Sequence, residues 1–164
     1  MVMATQNPLE SYGTFPLPDA QVDRFFMRLS LGYMNREQEM SVLSRRSTAD
    51  IIEALEQRVT DEETKYVRNA YADVAVSRDV LGYIMDIVEA TRSDSKFRSG
   101  VSSRGAIALY KAAQVTALLN DRDYVIPEDV KFVAPHVLSH RVMAENAKAV
   151  QNLLDQLPVP METL

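Results

Sequence analysis

The second half of the chain is a succession of helix-start signals, each followed by apolar residues at helical spacing. Thr60 and Glu63 form a capping box, in which a hydroxyl and a carboxylate three residues apart satisfy the free amides of a helix start. Ser77 and Ser102 can cap two further helices, and Pro127 suits the first position of another. From Thr60 onward, the sequence therefore predicts an all-helical domain.

Apolar stripes indicate which faces of these helices are buried. Two stripes are formed by Val80, Ile84, Ile87 and Val88, and by Ala106, Leu109, Ala113 and Ala117. Pro135 cannot continue a helix cleanly, so we expect the helix that starts at Pro127 to break or kink there. A last helix is predicted over residues 144–157, with Val150, Leu153, Leu154 and Leu157 facing inward.

Residues 1–33 have a different character, with strand signals and a loop rich in proline and glycine. The run from Phe25 to Leu31 is short and partly alternating, so it is predicted to be a sheet strand. Asp19 is predicted to cap a short helix that ends at Val22, with Pro18 marking its start. Residues 34–59 are predicted to connect the two parts through a helix, with Asn35 and Gln38 as its reciprocal cap, and an irregular linker. The fold class expected is mainly α, with a remnant of an α/β core before the helical domain over residues 60–164.

Composition excludes several classes of protein. The net charge is −5, so no basic field indicates nucleic-acid binding. There is no cysteine, which excludes disulfides and thiolate metal sites and fits a reducing cytoplasm. No apolar run reaches the length of about 18 residues needed for a membrane span, and the start lacks a secretory pattern. His136 and His140 lie four residues apart but have no obvious third ligand, so no metal site is predicted.

The segments Met3-Ala4-Thr5-Gln6-Asn7-Pro8, Gly13-Thr14-Phe15-Pro16-Leu17-Pro18 and Asp23-Arg24-Phe25 together resemble a signature of the MoxR family of AAA+ ATPases. Locally, Asn7 reads as a turn residue before proline. The resemblance implies instead that Asn7 is sensor 1, which orients the water that attacks the γ-phosphate. It implies that Arg24 is the arginine finger. Without the resemblance, a salt bridge of Arg24 with Asp23 or an arginine with only its stem buried would be the better interpretation.

Arg104 lies near a helix start, where anions are favoured. In the family, Ser-Pro-Arg at this point carries sensor 2, which contacts the γ-phosphate from the lid. This chain has Ser102-Ser103-Arg104, so serine replaces the proline. The segments 120–130 and 138–141 also resemble the family's lid, and they look structural rather than catalytic.

The sequence contains no Gly-x-x-x-x-Gly-Lys-Ser/Thr loop and no strand that ends in paired acidic residues. ATP and magnesium are therefore expected only in a complete ATPase, and the chain alone is predicted to be inactive. The resemblance implies a hexameric ring that remodels or matures other proteins, with a von Willebrand A-type partner. The alternatives are a non-catalytic helical interaction module of ATPase ancestry and a magnesium chelatase subunit, against which the Gly13–Pro18 run argues.

Overall fold

The computed structural model describes residues 2–6, 17–44, 55–144, 146 and 148–160. Within these ranges the chain forms seven α-helices, one 3₁₀ turn and no sheet. The helices are α1 (Asp19–Val22), α2 (Arg36–Ser44), α3 (Asp61–Ala70), α4 (Arg78–Ser93), α5 (Ser103–Leu119), α6 (Pro127–Leu138) and α7 (Ala149–Leu154), and the 3₁₀ turn (Tyr71–Asp73) follows α3. None of these helices is long and apolar enough to cross a membrane. The mainly helical fold class is confirmed.

The hydrophobic core lies among α4, α5, α6 and α7. Its buried apolar residues all fall between Val74 and Leu154. Large side chains at its centre, among them Ile87, Leu109 and Leu138, are completely buried. Burial of a side chain of this size contributes about 1.5–3 kcal/mol. The predicted stripes on α4 and α5 are confirmed as core faces, with Ala106 only partly buried at one end.

The predicted caps at Thr60, Ser77 and Ser102 are confirmed, but Asp19 is the first residue of α1 and not its cap, which is Pro18. The Thr60 hydroxyl accepts from the amide of Glu63 at 3.2 Å, and the Glu63 carboxylate accepts from the amide of Thr60 at 2.8 Å. Ser77 and Ser102 cap α4 and α5 through their side-chain oxygens. These contacts are local in sequence, which is why the residue types alone predict them.

Two short backbone pairings tie the loops between helices together. Ala75 pairs with Tyr124 in a parallel bridge, and Phe97 pairs with Ala144 in an antiparallel bridge. The second pairing corrects the predicted last helix. Ala144 lies in this bridge, so α7 begins only at Ala149 and ends at Leu154.

The expected strand from Phe25 to Leu31 is wrong. This segment has no regular secondary structure, and its backbone groups pair with the helical domain instead. The Arg28 amide donates to the carbonyl oxygen of His136 at 2.9 Å. A strand needs a neighbouring strand to satisfy its backbone, and none lies among the described residues.

Of the break or kink expected at Pro135, the break is wrong, because α6 continues through the proline to Leu138. Ala134, Val137 and Leu138, on either side of the proline, are completely buried. The packing of these residues offsets the loss of the hydrogen bond that proline cannot make. A proline in a helix interior costs about 3 kcal/mol.

The connector between residues 34 and 59 is described only in part. Asn35 and Gln38 form the expected reciprocal cap of α2, each amide donating to the other side chain at 2.9 Å. No residue of α2 is buried. Residues 55–59 have no regular secondary structure, as expected for the linker.

Candidate functional site

The side chain of Arg141, just after α6, is the centre of the candidate site. It is 1% exposed. Its Nε donates to the carbonyl oxygen of Val137 at 2.8 Å, and its Nη2 donates to those of Phe25 at 2.6 Å and Phe26 at 3.2 Å. Its Nη1 donates to the carbonyl oxygen of Asp23 and, at 3.1 Å, to the Asp23 carboxylate. All five N–H donors of the guanidinium therefore have acceptors.

The carboxylate of Asp23 connects this cluster to the start of α5. The Ser102 hydroxyl donates to the two Asp23 oxygens at 3.0 and 3.2 Å. The same hydroxyl oxygen accepts from the Gly105 amide at 3.1 Å, which is the capping bond of α5. Ser102 therefore caps its helix and holds the 23–26 turn at the same time.

Gly105 leaves the space through which the stem of Arg141 passes. A Cβ at this position would lie 3.1 Å from the Cδ of Arg141 and 2.7 Å from a methyl carbon of Val101. A side chain at Gly105 would therefore displace one of these neighbours, and glycine permits the close approach of Arg141 to α5.

His140 adds a second contact to the same turn. Its Nε2 lies 3.0 Å from the carbonyl oxygen of Phe25. The carbonyl can only accept, so the ring nitrogen donates. Loss of surrounding water lowers the pKa of His140, and the nearby charge of Arg141 acts in the same direction. The ring is therefore a neutral donor at pH 7, and its Nδ1 has no partner among the described residues.

The two arginines expected from the resemblance both lie beside this cluster. Arg24 is the residue between Asp23 and Phe25, and Arg104 immediately precedes Gly105 on the first turn of α5. Both side chains are exposed. In the described part of the chain, neither guanidinium has a hydrogen-bond or ion-pair partner, so the salt bridge considered for Arg24 with Asp23 does not form. Asp23 pairs with Arg141 instead.

Asn7 lies outside the described residues, as do Gly13 to Pro16. Residues 2–6 precede Asn7 as an exposed stretch without regular structure. Of the three predicted site residues, the structure describes Arg24 and Arg104, and it brings the segments that carry them together through Asp23, Ser102 and Arg141.

The role of Arg141 was missed by sequence reasoning. The segment 138–141 resembles a structural part of the family's lid, but nothing in it indicates a partner. Asp23 is 118 residues away in the sequence, and only the tertiary fold shows the pair.

His136 and His140 contact different neighbours. The ring of His136 meets that of Phe132 edge to face, with 6.2 Å between centroids. Among the described residues, no three histidine or carboxylate side chains converge as a metal site would require.

Two family models and several relatives match this chain. Residues 1–27 match the ATPase family associated with various cellular activities (AAA), and residues 89–158 match the AAA lid domain. The chain is 34% identical over 152 residues to the chaperone MoxR1 of Mycobacterium tuberculosis, and 30% identical over 168 residues to the protein MoxR of Methylorubrum extorquens. The chain belongs to the MoxR family of AAA+ ATPases. The resemblance seen in the sequence is confirmed.

Two further proteins align with most of the chain. It is 46% identical over 142 residues to the uncharacterised protein YeaC of Bacillus subtilis, and a candidate ATPase from Cytophaga hutchinsonii superposes with a TM-score of 0.80 at 32% identity. These alignments cover 87% and 95% of the chain but 44% of YeaC and 53% of the solved chain. The chain likewise spans 40% of MoxR1 and 48% of MoxR.

The described residues fit part of a site for a nucleotide with magnesium, as the AAA+ family implies. Arg24 and Arg104 offer exposed guanidinium groups, which suit phosphate oxygens. The sequence contains neither a phosphate-binding loop nor a strand ending in paired acidic residues for magnesium. This chain can therefore supply cations to a phosphate that other residues hold.

Proposed function

We propose that the chain belongs to a MoxR-type ATPase that remodels or matures partner proteins, in which Asn7 and Arg104 contact the subunit's own ATP and Arg24 contacts the ATP of a neighbouring subunit. The observation that carries the proposal is the placement of Arg24 and Arg104. Both are exposed and without a partner among the described residues, yet the backbone on which each stands is fixed by Asp23, Ser102 and Arg141. A guanidinium that is unpaired but stands on a fixed backbone is well suited to bind an anionic ligand.

Arg24 would act as an arginine finger. Phosphoryl transfer spreads negative charge over the oxygens of the transferred group, and a guanidinium from a neighbouring subunit stabilises that charge. Its anchored turn limits the reorganisation needed at the moment of reaction. When bound, ATP with magnesium would supply the phosphoryl group and neutralise part of its charge.

Arg104 would act as sensor 2 and Asn7 as sensor 1. Arg104 is the second residue of α5, where the amide groups of the helix start also favour an anion. We propose the same division of the chain as the sequence suggests, with residues 1–33 from the nucleotide-binding core, residues 34–59 as connector and residues 60–164 as lid. A hexameric ring in the cytoplasm, with a von Willebrand A-type partner, completes the proposal.

The chain on its own should neither hydrolyse ATP nor bind it tightly. Arg104 and Arg24 can contact only a nucleotide that other residues hold, because the phosphate-binding loop is missing from the sequence. Turnover by the isolated chain that disappears in Arg104→Ala would contradict this.

The test uses a complete ATPase that contains this chain. Arg24→Ala should lower kcat about a thousandfold or more with little change in ATP affinity, because a finger acts on the transition state. Arg78→Ala is the control, since Arg78 is also an exposed arginine but lies in the first turn of α4. Equal turnover in the two variants would overturn the role of Arg24, and absence of ATP hydrolysis by the unmodified protein would favour a non-catalytic interaction module.

A mixing experiment tests action between subunits. Subunits with Arg24→Ala are mixed with subunits that are inactive in the phosphate loop. A finger that acts across the interface should give partial recovery of turnover, since some interfaces then pair an intact loop with an intact Arg24. Rings that form but show no recovery at any ratio would contradict action in trans.

A further inference from the structure

Arg141 contacts the immediate neighbours of both candidate nucleotide-contacting arginines. Its guanidinium holds the carbonyl oxygens of Asp23 and Phe25, the two residues on either side of Arg24. Its stem packs against Gly105, the residue after Arg104. One side chain of the lid therefore fixes the backbone at two places that the sequence separates by 80 residues.

We propose that Arg141 is a positioning residue that sets Arg24 and Arg104 relative to each other. The proposal rests on the proposed function, in which both arginines contact ATP. Arg141 itself is 1% exposed, so it acts through the backbone around Arg24 and not on the nucleotide.

The geometry of the guanidinium explains why arginine is needed here. Each of its five N–H groups has an acceptor. Four acceptors are the backbone carbonyl oxygens of Asp23, Phe25, Phe26 and Val137, and the fifth is the Asp23 carboxylate. The group is planar and rigid, so these acceptors are held in a fixed relation. A lysine has three donors at a single point and cannot reach the same set.

A second connection runs through Asp23. Its carboxylate pairs with Arg141 and also accepts from Ser102, the cap of α5. A displacement of the start of α5, where Arg104 lies, would therefore move the turn that carries Arg24. Because Arg24 would act on the nucleotide of a neighbouring subunit, this connection would link the lid of one subunit to turnover at the next.

The test is Arg141→Lys in a complete ATPase that contains this chain, alone and combined with Arg24→Ala. We expect Arg141→Lys to lower kcat about ten- to a hundredfold, with the KM for ATP nearly unchanged, because a small displacement of a catalytic group is costly. In the Arg24→Ala background the same change should lower kcat by a clearly smaller factor, because only the effect through Arg104 remains. A residue that only stabilises the fold would lower turnover equally in both backgrounds.

Arg122→Lys is the matched control. Arg122 also forms a two-pronged pair in the lid, with 2.7 and 2.5 Å to the carboxylate oxygens of Asp129. Its hydrogen bonds in the described structure go to Asp129 and Tyr124, away from the 23–26 turn. Arg122→Lys should lower the melting temperature without changing kcat at a temperature where the protein is folded.

The outcomes separate this proposal from the proposed function. If Arg24→Ala leaves kcat unchanged, the role of Arg24 is wrong, whatever Arg141 does. If Arg24→Ala lowers kcat and Arg141→Lys does not, or if Arg141→Lys acts equally in both backgrounds, the positioning role is overturned. Should Arg141→Lys fail to fold, Asp23→Asn decides the question by the same comparison, since it removes the charge from the pair but keeps the side-chain volume.

Discussion

The carboxylate of Asp23 lies 3.1 Å from the Nη1 atom of Arg141, although 118 residues separate them in the sequence. The arginine is almost completely buried, and the side chain of Asp23 is 24% exposed. The pair joins the segment before the connector to the helical domain after it. A buried guanidinium without its carboxylate would be left with an uncompensated charge, so this contact should be important for stability as well as for the site.

The first prediction concerns this pair. Asp23→Asn should lower the free energy of unfolding by about 2 kcal/mol, since it removes a charge-assisted hydrogen bond from a partly exposed site. The melting temperature should fall by about 4 to 8 °C. Thermal melts followed by circular dichroism measure this. The control is Asp19→Asn, an exposed aspartate four residues earlier, and an equal effect of the two changes would contradict the prediction.

The sequence was sufficient where the determining contacts are local. Thr60 with Glu63 and the caps at Ser77 and Ser102 involve residues three positions apart, so residue type alone identifies them. The break expected at Pro135 did not occur, because packing of buried neighbours outweighs the local preference. The pairing of Arg141 with Asp23 has no local signal at all. Arg24 and Arg104 were chosen by resemblance, and the structure adds how their backbones are held.

The second prediction concerns Asp129 in the first turn of α6. Ile126 has no side-chain acceptor, but the Asp129 carboxylate still accepts the Ile126 amide at 3.0 Å and also binds Arg122. Its side chain is 4% exposed. Asp129→Asn should therefore lower the free energy of unfolding by about 3 kcal/mol. Urea denaturation of Asp129→Asn and of the exposed neighbour variant Glu128→Gln provides the comparison, and the second change should be much milder.

The third prediction is a pH dependence caused by His140. Burial lowers the pKa of this ring below its ordinary value of 6.5, and the hydrogen bond to Phe25 opposes the shift only in part. As the pH falls through 6.5, the unfolded chain takes up the proton before the folded chain does. The free energy of unfolding contributed by this group therefore decreases with falling pH.

The measurement for His140 compares two chains by urea denaturation between about pH 7.5 and pH 5.5, on either side of the ordinary histidine pKa. His140→Gln keeps an N–H donor for the Phe25 carbonyl but does not titrate. The original chain should lose more stability over this range than the variant. Parallel curves would show that His140 does not cause the effect.

The fourth prediction contrasts two buried hydroxyl groups on α4. The hydroxyl of Tyr83 has no hydrogen-bond partner among the described residues, and burial, with Glu128 nearby, raises its pKa. Tyr83→Phe should be neutral or slightly stabilising, because it removes a buried polar group without breaking a bond. The Thr91 hydroxyl donates to the Val88 carbonyl at 2.7 Å and accepts from the Val101 amide at 3.1 Å. Thr91→Val should lower the free energy of unfolding by about 1–3 kcal/mol. A lower melting temperature for Tyr83→Phe than for Thr91→Val would contradict both expectations.

The last prediction tests whether the helical domain can fold without residues 1–33. Among the residues that the structure describes, the core lies between Val74 and Leu154, so deletion of residues 1–33 should leave that core intact. The deletion removes exposed apolar side chains such as Leu29 and Leu31, which should reduce self-association. It also removes the acceptors of Arg141 on residues 23–26, so the melting temperature should fall while the transition stays cooperative.

A chain that lacks only residues 1–16 is the control, since it keeps those acceptors and should melt at a higher temperature than the shorter chain. Circular dichroism and light scattering give the two readouts, and loss of the transition in the shorter chain would show that residues 17–33 are an integral part of the helical fold.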